Sequence, residues 1–124
     1  MPADFRIDRS KRVVYCRAWG VVTNQDLADN RVGLHADPAF EPDMAVLYDF
    51  ADVTDVQVTS EALGRLAQTS HLVPTARQAL VVSSDVAFGL ARMYAILSGN
   101  EEQNLIFRDR ASAVRWLESP PAGS

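Results

Sequence analysis

The chain has 124 residues, is 48% hydrophobic and 23% charged, and carries a formal net charge of −4. That length and balance suit one domain with a core of its own and argue against a disordered chain or a disulfide-stapled scaffold. An acidic chain without a basic stripe repels polyanions, so nucleic acid is not an expected partner.

Asp4 to Ile7 and Arg12 to Trp19 read as two strands joined at Asp8-Arg9-Ser10-Lys11, a polar tetrapeptide suited to a hairpin. In the second strand Val13, Tyr15 and Trp19 fall on one face and Val14, Cys16 and Ala18 on the other, so both faces should be covered. Thr23 then opens a helix that runs to about His35. Its hydroxyl can cap the amide three residues on, with Asp26 at the reciprocal capping-box position. This helix sets Leu27, Arg31 and Leu34 on one side. Pro38 and Pro42 mark a loop, because neither fits a helix interior or a central strand.

Ala45 to Asp49 is the third strand, and Asp49, Asp52 and Asp55 collect at and just beyond its carboxyl end. A second helix begins near Thr59 or Ser60 and carries Ala62, Leu63, Leu66, Ala67 and Ser70 on one face. Pro74 separates it from a fourth strand, Gln78 to Ser83. The third helix starts with Ser84 or Asp85 as its cap and runs to about Ser98, where Gly99-Asn100 supplies the stop. Asn104 to Phe107 is a short fifth strand, and Ala111 to Leu117, capped by Asp109, a last helix. The order is ββαβαβαβα, an α/β class with a mixed five-stranded sheet: mainly parallel, with an antiparallel opening hairpin. Residues 1–118 read as a single domain and residues 119–124 as a disordered tail.

The lone cysteine, Cys16, has no internal disulfide partner and reads as a small core residue. No secretory signal precedes the first strand, and the longest apolar segment, Val86 to Leu97, is broken by Arg92 and falls short of the roughly 20 residues a membrane span needs. The expectation is a cytoplasmic protein without a membrane span.

Three groups of residues invite a chemical reading. The carboxylates Asp49, Asp52 and Asp55 sit where open α/β sheets bind ligands, which is compatible with a magnesium site or a phospho-acceptor. A receiver-type phosphorylation site would also need an acidic pair after the first strand and a later lysine. Lys11, in the hairpin, is the only lysine, so turn and capping duty is the favoured role. His35 and His71 each terminate a predicted helix, where a cationic side chain meets the dipole favourably. Neither has a cysteine, carboxylate or second histidine at ligand spacing, so no metal or other cofactor is expected.

The third helix is apolar nearly all round. Val86, Leu90, Met93 and Leu97 form one stripe, and Ala87, Phe88, Ala91, Tyr94 and Ala95 fill much of the rest. It is packed beneath other elements, forms a homodimer seam, or lines an apolar pocket. Arg92 within that surface is placed to pair with an acid across an interface.

Taken together, the residues resemble the SpoIIAA-like branch of STAS domains, a family related to anti-sigma-factor antagonists. The resemblance covers nearly the whole chain. It rests on Trp19-Gly20, Ala39-Phe40 with Pro42, Leu47-Tyr48-Asp49-Phe50, Phe88 to Tyr94, and Ile106-Phe107 through Ala113-Val114-Arg115-Trp116-Leu117. It implies a STAS-type sheet packed with helices, often dimeric. Some relatives are likened to a lipid-transfer fold, which implies apolar ligands. Antagonists carry a phosphorylatable serine in an Asp-Ser-Ser-Gly-Leu motif; the matching stretch here is Thr59-Ser60-Glu61-Ala62-Leu63, which sets Ser60 at the acceptor position. Thr59 replaces the motif's Asp and Ala62 its Gly, and Glu61 opposes an added phosphate, so a plain helix cap is the simpler role.

The reading of the sequence is therefore a non-enzymatic module that binds a regulatory protein partner and self-associates through the third helix. The alternative is a carrier or sensor of a small apolar or lipid-like ligand. Asp49, Asp52, Phe88, Arg92 and Tyr94 are the candidate surface residues, and Ser60 the candidate phospho-acceptor.

Overall fold

A computed structural model describes residues 2–119. The strands are β1 (Ala3–Asp8), β2 (Val13–Thr23), β3 (Ala45–Gln57), β4 (Gln78–Val81) and β5 (Asn104–Phe107). The helices are α1 (Asn24–Ala36), α2 (Ser60–Gln68), α3 (Asp85–Ser98) and α4 (Arg110–Glu118), and the order is ββαβαβαβα. β1 and β2 form an antiparallel hairpin; every other neighbouring pair is parallel, in the spatial order β1-β2-β3-β4-β5. The expected tail, from residue 120 on, lies outside the described residues.

The strands advance in one direction across the sheet, so crossovers of a single hand carry α1, α2 and α3 to the same face. Only α4, which follows the last strand, is left for the other face. The period-2 alternation of the strands serves both sides. Val14, Cys16 and Val46 meet α1, and Leu80 and Val82 meet α2 and α3. Leu47, Ala79 and Val81 point the other way, against Ala113 and Trp116 of α4.

Each helix begins on a cap legible in the sequence. Thr23 accepts from the Asp26 amide while the Asp26 carboxylate accepts from the Thr23 amide, a full capping box. Thr59, Ser84 and Asp109 cap α2, α3 and α4. Gly99 ends α3 with φ +77°, a left-handed conformation that glycine takes without steric cost.

Two strands run further than expected. β2 continues past Trp19 to Thr23, and β3 continues past Asp49 to Gln57, the two pairing through Thr23↔Gln57. Asp52 and Asp55 are therefore not in a loop beyond the strand but within it. Aspartate is a poor strand former, yet each strand supplies the other with backbone partners, so pairing continues after β4 has stopped at Val81. The register shifts between Arg17 and Trp19 and again between Gly20 and Val21, with the extra residues on β3. Bulges bend a strand and raise its twist, and Gly20, at φ +66°, accommodates the turn in its partner. The bent ribbon brings Val22, Val53 and Val56 over the face covered by the helices.

Three smaller boundaries also move. Arg12 closes the hairpin at φ +55°, so β2 starts at Val13. β4 ends at Val81, before Ser83. Helix α2 ends at Gln68, which leaves His71 in the following loop rather than at a helix end.

That loop returns His71 onto α1, where its ring stacks on His35 with centroids 3.7 Å apart and 9° between planes. Burial holds His35 down to about 4, and repulsion from His71 and Arg31 acts in the same direction. The folded chain thus prefers neutral His35, while the unfolded chain protonates it near its ordinary 6.5. The unfolded state binds more protons in that window, so stability is full above about pH 6.5 and declines as pH falls toward about 4. Urea midpoints measured across this range are expected to fall in the native chain and to stay flatter in His35→Gln; parallel profiles would refute the assignment.

Candidate functional site

Between the sheet and the α1–α3 layer lies a cavity of about 90 Å³. Its walls come from four sources: Cys16, Ala18 and Tyr48 on the sheet; Leu27, Arg31 and Leu34 on α1; Leu63 and Leu66 on α2; and Ala87, Leu90, Ala91 and Tyr94 on α3. Phe50, Val53 and Val56 of the bent ribbon and Val58 after it complete the walls of this half-open hollow. Small residues open this space. Ala87 and Ala91 lie one helical turn apart on α3, and with Ala18 opposite they leave room where leucines would interdigitate.

The polar groups here are few and connected. The Arg31 guanidinium donates to the Leu66 carbonyl at 2.8 Å and to the Tyr94 hydroxyl at 3.3 Å. Tyr94 in turn donates to Oε1 of the buried Gln78 at 3.3 Å. Burial pushes the Tyr48 phenol well above its ordinary range, with nearby Tyr94 adding to the rise and Arg31 opposing it. Burial likewise pushes the Cys16 thiol up to about 12, so it stays protonated and is no nucleophile at neutral pH. Tyr94→Phe would strip the donor from buried Gln78 and an acceptor from Arg31. The expected cost is about 2 kcal/mol in chemical unfolding, and an unchanged midpoint would show that the phenol oxygen contributes nothing.

Of the six residues singled out from sequence, only Tyr94 lines this cavity. Asp49 accepts from the Ala51 amide and from Arg110 at 3.0 Å, which combines the expected local bonding with an unforeseen ion pair to α4. Asp52 pairs with Arg17 across the ribbon at 3.0 Å. Ser60 is the exposed first residue of α2, and the capping is done by Thr59, which accepts from the Ala62 amide. Phe88 is half-buried, with Arg108 lying 4.8 Å from its ring centroid. Arg92 is exposed on α3.

The apolar surplus of α3 divides between two sides. Ala87, Ala91, Tyr94 and Ala95 are buried toward the sheet and α2. Facing outward are Val86, Met93, Ile96 and Leu97, which remain 67%, 36%, 52% and 47% exposed. Leu90, which the sequence groups in one stripe with Val86, Met93 and Leu97, packs inward as a cavity wall. Sequence reasoning missed Arg31 and Tyr48. The available signal was an arginine interrupting the Leu27–Leu34 face of α1. Among the described residues, no helix is long and apolar enough to cross a membrane, and no three metal-ligating side chains gather.

A mixed five-stranded sheet with three helices on one face and one on the other is a SpoIIAA-like fold. The chain is similar in structure to an uncharacterised DUF3478-family protein with a SpoIIAA-like fold from Shewanella loihica PV-4. The TM-score is 0.64 at 16% identity, over 93% of both chains. The likeness bears out, at the level of fold, the resemblance read from the residues. No family profile matches the chain, and no curated protein does.

Proposed function

We propose that the chain is a non-enzymatic binding module whose cavity takes a small apolar or amphipathic ligand. The carrying observation is the cavity itself, of about 90 Å³, half open and lined by leucine, valine, alanine and phenylalanine side chains with a few convergent polar groups. Ligand sites of this kind are concave and mostly apolar, with a small number of polar groups that orient the occupant. The role without catalysis is supported by the carboxylates. Asp49 and Asp52 are each held by an arginine, and neither they nor Ser60 reach the cavity wall. Native mass spectrometry after gentle purification tests the reading. A small molecule carried through and released on denaturation is the expected result; its consistent absence from protein made in several hosts would overturn it.

A second reading, self-association or docking of a regulatory protein through α3, is favoured by one observation. Val86, Met93, Ile96 and Leu97 form an exposed apolar stripe beside Arg92, for which the described residues supply no acidic partner. Stripes of this kind mark interaction sites. Size-exclusion chromatography with light scattering addresses the homodimer: a dimer that Ile96→Asp dissociates is expected, and a strict monomer at tens of micromolar would remove it.

A further inference from the structure

Two arginines line the cavity, and only one has a counter-charge. Arg17 is paired with Asp52 at 3.0 Å. Arg31 makes no ion pair among the described residues; its partners are the Leu66 carbonyl and the Tyr94 and Tyr48 hydroxyls, all uncharged. A shielded cation with no anion is costly unless its surroundings compensate it. Leu66 lies in the last turn of α2, so its carbonyl belongs to the negative end of that helix. A helix terminus carries only about half an elementary charge, which leaves Arg31 incompletely balanced. A guanidinium has five N–H donors in a planar fork, and these three contacts leave donors unspent. Asn30, the preceding residue of α1, also lines the cavity, with its side chain hydrogen-bonded to the Cys16 thiol.

Resting on the ligand-binding reading above, we propose that the occupant is a monoanionic amphiphile: a carboxylate that pairs with Arg31, on a short apolar body lodged against Leu63, Leu66, Ala91 and Val56. One cation calls for one negative charge, and a planar two-oxygen acid matches the guanidinium fork. The cavity of about 90 Å³ is half open, so it takes one end of a short chain and cannot bury a long acyl tail.

The test compares octanoate with octan-1-ol, equal in chain length and uncharged, by isothermal titration calorimetry on the native chain. Acetate and inorganic phosphate serve as anions without an apolar body. Expected is octanoate binding at least tenfold tighter than octanol, with acetate and phosphate silent. Arg31→Gln should erase the difference while sparing octanol, and Arg31→Lys should restore part of it. Should Arg31→Gln fail to fold, the comparison of the four probes on the native chain stands alone. Equal binding of octanoate and octanol overturns the anion assignment and leaves the apolar cavity reading intact. Binding of phosphate or acetate as tight as octanoate also overturns it, since no apolar body is then needed. Silence of all four probes overturns both readings.

Discussion

Truncating Leu47 to alanine is expected to remove about 3 kcal/mol of unfolding free energy, read as a lower urea midpoint at unchanged slope. Leu47 is 0% exposed, in β3 between β2 and β4. Its neighbours toward α4 include Ala79 and Ala113, side chains too short to close over the missing carbons. The gap would persist, and the cost of such a substitution grows with the residual cavity. A chain of this size has roughly 5–15 kcal/mol to lose, so the change is a large fraction of the whole. Leu63→Ala on the opposite face should cost less, about 2 kcal/mol, because Leu63 already borders open space. Equal losses at the two positions would contradict the asymmetry between a tightly packed α4 face and a hollow α1–α3 face.

Filling the cavity from α3 is expected to abolish ligand binding while the fold persists. Ala91 is buried and lines the hollow, and leucine is a good helix former, so Ala91→Leu extends its side chain into unoccupied volume. Overpacking a full core costs about 1–3 kcal/mol, but here the added atoms meet a void of about 90 Å³. The ligand-free variant should therefore unfold at or above the native temperature. Ligand-dependent stabilisation, about 2.7 kcal/mol for an occupant at a hundred times its Kd, should vanish from thermal unfolding scans. A folded Ala91→Leu variant that still gains the full stabilisation would move the binding site elsewhere.

The two changes probe layers whose difference has one topological cause. Same-handed crossovers put three helices on one face and leave a single helix for the other. α4 packs Ala113 flat against Leu47, Ala79 and Val81. Three helices converging over β2–β4 must instead meet one another as well as the sheet. With alanines at 87 and 91, they close around a space rather than fill it. The bent β2–β3 ribbon then roofs that space with Val53 and Val56. The proposed ligand site lies on the face that the crossovers crowd.

Local chemistry made the element order and caps readable from residues alone. Thr23 with Asp26, Ser84, Asp109 and Gly99 each act through a hydroxyl, a carboxylate or a backbone preference within a few residues of chain. The ends of β2 and β3 were not readable, because two strands extended by pairing with each other are stabilised by hydrogen bonds between residues far apart in sequence, such as Thr23 and Gln57, against the local preference of Asp52 and Asp55. The histidine stack was hidden for the same reason: His35 and His71 meet only because the loop after α2 folds back onto α1. Hydrophobic patterning and capping thus determined the ββαβαβαβα order and an over-apolar α3, and the SpoIIAA-like arrangement was what the family resemblance implied. Tertiary packing decided which side of α3 faces inward, where the void lies, and that Arg31 borders it without an acid. Charge balance and empty volume are properties of neighbours distant in sequence, which no local pattern encodes.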